Sequence, residues 1–117
     1  MSPVFAFDMS VVVAVIFARA SEENGFFTIE KIIKYLKKNN KSITVTYTDW
    51  FRVALAIANS FTHEVGQKYY LQLCELDGDN YDEYKSKYLL DYCYANRKLG
   101  KIGFPTIVYL AKQAGFK

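Results

Sequence analysis

The sequence predicts an all-α fold, a compact bundle of about six helices. Three observations predict it. Apolar residues recur at helical spacing through most of the chain. Only two prolines occur, Pro3 and Pro105, and both fall near expected element starts. The polar connections carry residues suited to capping and closing helices, among them Thr28, Asn40, Asp82 and Gly115. A length of 117 residues fits one domain. Folding at this size buries about 65% of the unfolded chain's surface, enough for one core.

The elements follow in order. Residues 8–20 hold the apolar run Val11-Val-Val-Ala-Val-Ile-Phe-Ala18. Its β-branched content also suits a strand. The only stretch that could pair with it is residues 42–47, so a helix capped by Asp8 or Ser10 is expected. Thr28 is expected to cap a second helix over residues 29–38. Ile29, Ile32, Ile33 and Leu36 make its apolar face, and Lys31, Lys34, Lys38 and Lys41 lie on another. Asn39 and Asn40 end it, since Asn tolerates the left-handed conformation that closes helices.

Residues 44–48 read as extended or turn-like. Thr48 or Asp49 caps a third helix over residues 49–61. Trp50, Val53, Ala54, Ile57 and Phe61 share a face there, and Ala54, Ala56 and Ala58 allow close helix approach. A fourth helix covers residues 63–76 with Val65, Tyr69, Tyr70, Leu73 and Leu76 inward, and a turn follows. The fifth covers residues 81–96, capped by Asp82 or Asn80. Its Tyr81, Tyr84, Tyr88 and Tyr92 form one stripe, read as core packing with the hydroxyls at the edge; stacking on unpaired bases is the alternative. A basic, glycine-flanked loop leads to Pro105 at the first turn of the last helix, and Gly115 closes it.

Composition narrows the function classes. Hydrophobic residues make up 51% of the chain, which excludes a disordered polymer. Ten Tyr, nine Phe and one Trp supply large apolar bodies for a small core and leave rings for the surface. The net charge of +3 permits a polyanionic partner without demanding one. Two cysteines, Cys74 and Cys93, are expected to be free, buried thiols of a reducing compartment. The first apolar run is too short to span a bilayer. It also follows Asp8 without a preceding Lys or Arg, unlike a signal peptide. A cytoplasmic chain with no membrane partner is the expectation.

No reactive constellation stands out. The nucleophile elbow, the P-loop and the dinucleotide fingerprint are absent. Asp77-Gly-Asp79-Asn80 lacks the later Glu of a calcium loop. The lone His63 at a helix start reads as a capping or surface residue rather than a general base. No catalytic residue, metal or cofactor is expected. The basic residues carry more information. Lys31, Lys34, Lys38 and Lys41 are either a solvated face or a row of phosphate contacts. Arg97, Lys98 and Lys101 sit beside the start of the last helix, whose N–H groups favour anions.

From Tyr47 onward the chain resembles a known family. The signals are Tyr47-x-x-Trp50, then Ala54-Leu-Ala-Ile-Ala-Asn59, then Gly66-x-x-Tyr69-Tyr70. They continue through Leu73 and Tyr81-Asp82 to Ile102-Gly-x-x-Thr106 and Leu110-Ala-Lys-x-Ala-Gly115. This pattern is similar to the primase C-terminal type 2 family and to the VirE-N-terminal-like proteins of phages and mobile elements. Asn80 stands where the family has Lys, and Pro105 where it has Gly. The resemblance covers residues 44–116, with residues 1–43 completing the core of a single domain.

The resemblance implies a non-catalytic helical module of DNA replication, priming or mobile-element transfer. In that family nucleotidyl transfer belongs to a separate carboxylate-bearing domain. The expected partner is single-stranded or duplex nucleic acid, or a primase or helicase protein. Lys34, Lys38, Arg97, Lys98, Lys101 and Lys112 are the expected phosphate contacts. A protein-interaction domain anchored by exposed Tyr and Phe is the alternative. A helix-turn-helix regulator reading bases with Gln67, Lys68 and Gln72 is weaker still. Trp50, on an apolar face, is expected to be a core anchor rather than a base platform.

Overall fold

The structure, a computed structural model, describes residues 27–96 and 102–117. They form an all-α fold of five α-helices and one 3-10 segment. The helices are α1 (residues 27–39), α2 (Tyr47–Ser60), α3 (His63–Cys74), α4 (Glu83–Ala95) and α5 (Phe104–Gln113), with the 3-10 segment Glu75–Asn80 between α3 and α4. No strand occurs among the described residues. The helix expected over residues 8–20 lies outside them.

α2 is the axis of the bundle. Val53, Ala54, Leu55, Ala56, Ile57 and Ala58 are all buried, so the helix is covered on every side. A helix buried all round must be apolar all round. The alternation of alanine with larger residues is what lets α3, α4 and α5 pack against it. α1 adds Ile29, Ile32, Ile33 and Leu36 to the same core. Tyr69 on α3 donates to Glu30 of α1 at 2.8 Å, which joins those two helices at their edge. Burial and the Glu30 carboxylate push the Tyr69 hydroxyl up to about 12.

Helix ends follow the local chemistry, with corrections to the expected caps. Thr28 lies inside α1 and does not cap it. α2 begins earlier than expected. Thr46 is its N-cap, accepting from the Asp49 N–H at 3.1 Å, while Thr48 and Asp49 lie within the first turn. Asp82 caps α4 through the Lys85 N–H at 3.0 Å, as expected. The fourth expected helix stops at Cys74, and its last stretch tightens into the 3-10 segment, where Gly78 takes a positive φ of 64°.

α1 closes on Asn40 at φ 58°, and the chain after α5 turns on Gly115 at φ 105°. Both ends carry the same paired bonds. Lys41 N–H donates to Leu36 and Asn40 N–H to Lys37; Phe116 N–H donates to Ala111 and Gly115 N–H to Lys112. The two ends meet. The Tyr35 hydroxyl donates to the Ala114 carbonyl at 3.3 Å, and its ring packs edge-on against Phe116 with centroids 5.7 Å apart.

Candidate functional site

Two features of the surface are unlike an ordinary solvated face. The first is on α4. Its buried residues are Ser86, Leu90 and Cys93. Tyr84 and Tyr88 each lie two residues before a buried position, roughly 200° around a helix from it. The tyrosine stripe therefore faces away from the core, against expectation. Tyr84, Tyr88 and Tyr92 are 79%, 70% and 49% exposed, and only Tyr81 is half-buried. Beside this ladder two contacts join side chains to one another, while the exposed Lys85 has no ion-pair partner among the described residues. Lys87 sits 3.1 Å from Glu83, and His63 Nε2 sits 2.6 Å from Asp91.

The second feature is a cleft of about 420 Å³ between the first turn of α2, the 3-10 segment and the first turn of α4. Tyr47 and Trp50 line it from α2, and Tyr81 lines it from the chain entering α4. The Tyr47 and Trp50 rings stand 5.8 Å apart at 49°, forming an angled corner rather than a stack. The Asp77 carboxylate also lines the cleft. It accepts from the Ser42 hydroxyl on one oxygen and from Thr44 Oγ1, at 2.8 Å, on the other. Asp82 and Lys85 add further charged groups to its lining. Burial, then the Glu83 and Glu75 carboxylates, push the Tyr81 hydroxyl up to about 12.

Trp50 is a core anchor as expected, half-buried against the apolar cluster, but its remaining surface belongs to this cleft. Behind it the Tyr70 hydroxyl donates to the Trp50 carbonyl at 3.0 Å. Tyr70 is fully buried, and burial raises its hydroxyl far above the ordinary phenol range. Cys74 beside it is a free thiol pushed by burial up to about 11, with hydrogen-bonding neighbours Ser86, Tyr70 and Trp50 opposing part of the rise. Cys93 is likewise free, buried and raised to about 11. A thiolate is the reactive form of cysteine, so neither is poised as a nucleophile.

The basic residues divide. Lys34, Lys38 and Lys112 are exposed, and no ion pair involves them among the described residues. Lys38, Lys41 and Lys112 share the end of the bundle where the Tyr35 contacts join α1 to α5. Arg97, Lys98 and Lys101 lie outside the described residues. α3 packs against α2 and α4, with Gln67 and Gln72 half-buried and only Lys68 of its base-reading candidates exposed. His63, which the sequence marks as a surface residue, pairs with Asp91 and packs edge-on against Tyr94, ring centroids 5.0 Å apart. Among the described residues no three His, Cys, Asp or Glu side chains converge as metal ligands, and no helix is long and apolar enough to cross a membrane.

Sequence reasoning missed the cleft, whose lining comes from three separate segments. It saw the tyrosine ladder but assigned it to the wrong side of α4. Comparisons with protein-family models, with curated proteins and with solved structures find no match.

Proposed function

We propose that the chain is a non-catalytic helical docking module in the replication or transfer apparatus of a mobile element, and that α4 is its contact face toward a primase or helicase protein. The observation that carries this reading is the ladder of Tyr84, Tyr88 and Tyr92 on successive turns, exposed to solvent on a helix whose opposite face is in the core. Tyrosine is among the residues that dominate protein interfaces, because it buries a large ring and still satisfies its hydroxyl. Glu83 with Lys87, and Asp91 with His63, make contacts with each other beside the rings, and Lys85 adds one exposed cation on the same helix. The link to replication rests on the resemblance of residues 44–116 to the primase C-terminal type 2 family.

The test is a binding measurement of the purified chain against the primase and the helicase of the same replicon. Wild type should bind one of them. The variant carrying Tyr84→Ser, Tyr88→Ser and Tyr92→Ser should fold normally and lose at least roughly tenfold in affinity, a single hot spot being worth about 2 kcal/mol. Unchanged binding by the triple variant removes the reading, as does a wild type that binds neither protein.

A second reading, nucleic-acid binding, is favoured by the exposed Lys34, Lys38 and Lys112, which have no ion-pair partner among the described residues. Single-strand binders combine stacking rings with cations along one groove. Here the α4 ladder has the single cation Lys85 beside it without an ion-pair partner among the described residues, while these lysines lie on α1 and α5. A duplex or single-stranded oligonucleotide held by them should show salt-sensitive affinity, with the slope falling by about 0.7 for each single-strand phosphate left without its lysine. The variant Lys34→Ala/Lys38→Ala/Lys112→Ala reads that slope directly. Absence of salt-sensitive binding by wild type at low ionic strength excludes it.

A further inference from the structure

We propose that the cleft between α2, the 3-10 segment and α4 is a binding site for an organic cation, an alkylammonium or guanidinium group. Its aromatic walls are Tyr47 and Trp50 from α2 and Tyr81 from the α4 side. Their π faces attract a cation, with tryptophan the strongest of the three ring types. The Asp77 carboxylate shares the lining with them and is held in place by the hydroxyls of Ser42 and Thr44. A carboxylate anchored in this way meets a cation without first losing side-chain freedom. The volume of about 420 Å³ suits a small ammonium head with part of its stem.

The competing ligand classes fit worse. Two helix N-termini reach the cleft and would favour an anion if they were open. They are not open. Thr46 caps α2 and Asp82 caps α4, and Asp49 and Glu83 occupy their first turns. Among the described residues the only cationic lining residue is Lys85, against Asp77 and Asp82 in the lining and Glu75 nearby. A hard divalent metal takes six or more oxygens, and no triplet of ligating side chains occurs among the described residues. An entirely apolar ligand would leave Asp77 facing hydrocarbon, at a desolvation cost.

The cation could arrive as a free amine or as the end of a lysine or arginine side chain on a polypeptide; the chemistry of recognition is the same. The site does not rest on the tyrosine ladder, and its test reads the cleft alone. Trp50 is the only tryptophan in the chain, so its fluorescence reports this cleft. Choline, n-butylguanidinium and a capped Gly-Lys-Gly peptide are titrated into the intact chain, with 3,3-dimethylbutanol as the uncharged counterpart of choline. The cations should give a saturable change with Kd of about 1–10 mM, the range expected of a single small group, and the alcohol should give none. A tighter response to the peptide than to the free cations assigns the source to a polypeptide side chain, and the reverse assigns it to a free amine.

Two variants bracket the charge. Asp77→Asn should weaken cation binding by about tenfold, the ratio that 1.4 kcal/mol of lost attraction represents. Lys85→Gln should tighten it, by removing the one positive charge that the described residues place in the lining, an outcome that general damage to the fold does not produce. No saturable change with any cation, an equal response to the alcohol, or weaker binding by Lys85→Gln overturns the proposal.

Discussion

Gly66 on α3 leaves room for the close approach of Tyr94 from α4. A Cβ built there would run into the Tyr94 hydroxyl and lie 2.8 Å from Ile57 Cγ2. That hydroxyl donates to the Phe61 carbonyl at 2.8 Å and lies 2.9 Å from the Thr62 carbonyl oxygen, so it ties α4 to the turn between α2 and α3. Gly66→Ala should cost about 1–3 kcal/mol, the usual penalty for adding a methyl to a filled site, read as a lower urea midpoint with unchanged slope. Tyr94→Phe removes one tie and should cost about 1 kcal/mol. The double variant should lose less than the sum, since the phenyl ring lacks the oxygen that the new methyl meets. At the same scale, Cys74 and Cys93 should resist thiol reagents near pH 8 in the native chain and react at once in denaturant. Both folded thiols titrate near 11, above the ordinary 9.0 that they recover on unfolding. Above pH 9 the unfolded chain gives up protons that the folded chain keeps. The contribution of these two thiols is therefore level below pH 9 and declines as pH climbs from 9 through 11. The raised hydroxyls of Tyr69, Tyr70 and Tyr81 deepen the decline above pH 10, measurable as a falling melting temperature over that window.

Among the elements, α2 shows how local chemistry chooses between near-equal signals. Thr46, Thr48 and Asp49 are all competent caps in sequence, and only Thr46 has the extended backbone and the side-chain bond of an N-cap. Thr46→Ala should cost about 1 kcal/mol, whereas Thr48→Ala, at an exposed first-turn position, should stay within about 0.5 kcal/mol. Differential denaturation of the two variants checks it. The helical class, the close of α1 at Asn40, the Asp82 cap, Pro105 at the start of α5 and the turn at Gly115 were all legible, because each depends on a few adjacent residues. The orientation of α4 was not. Tyr81, Tyr84, Tyr88 and Tyr92 make one regular stripe, and Ser86, Leu90 and Cys93 make another. A large ring suits a core better than a serine hydroxyl does, so the pattern alone favours the wrong side. The structure buries Ser86 against Cys74 and leaves the rings outside. The cleft was illegible for a different reason: Ser42, Trp50, Asp77 and Tyr81 are brought together by packing, and no periodicity connects them. Lys34, Lys38 and Lys112 were selected by charge alone, and only the junction of α1 with α5 shows that Lys38 and Lys112 share an end.

For the whole molecule the governing fact is that one central helix is wrapped by its neighbours. Ile107, Leu110 and Ala111 of α5 are buried, and α5 packs on α2. Asn59 at the end of α2 donates to the Ile102 carbonyl at 2.7 Å, fixing the chain just before α5 begins. Ending the chain at Ile102 should uncover that side of α2 and abolish the cooperative unfolding transition, leaving a helical but loosely packed state that binds hydrophobic dyes; circular dichroism with a denaturant series decides it. Asn59→Ala should weaken the same junction more mildly, by about 1 kcal/mol. The order of synthesis then acquires a meaning. α2 is made before the helices that cover it on two sides, α4 and α5, leave the ribosome. Until they emerge, a run of six apolar residues stands open on a nascent helix, and the arrival of α5 is what closes its second side.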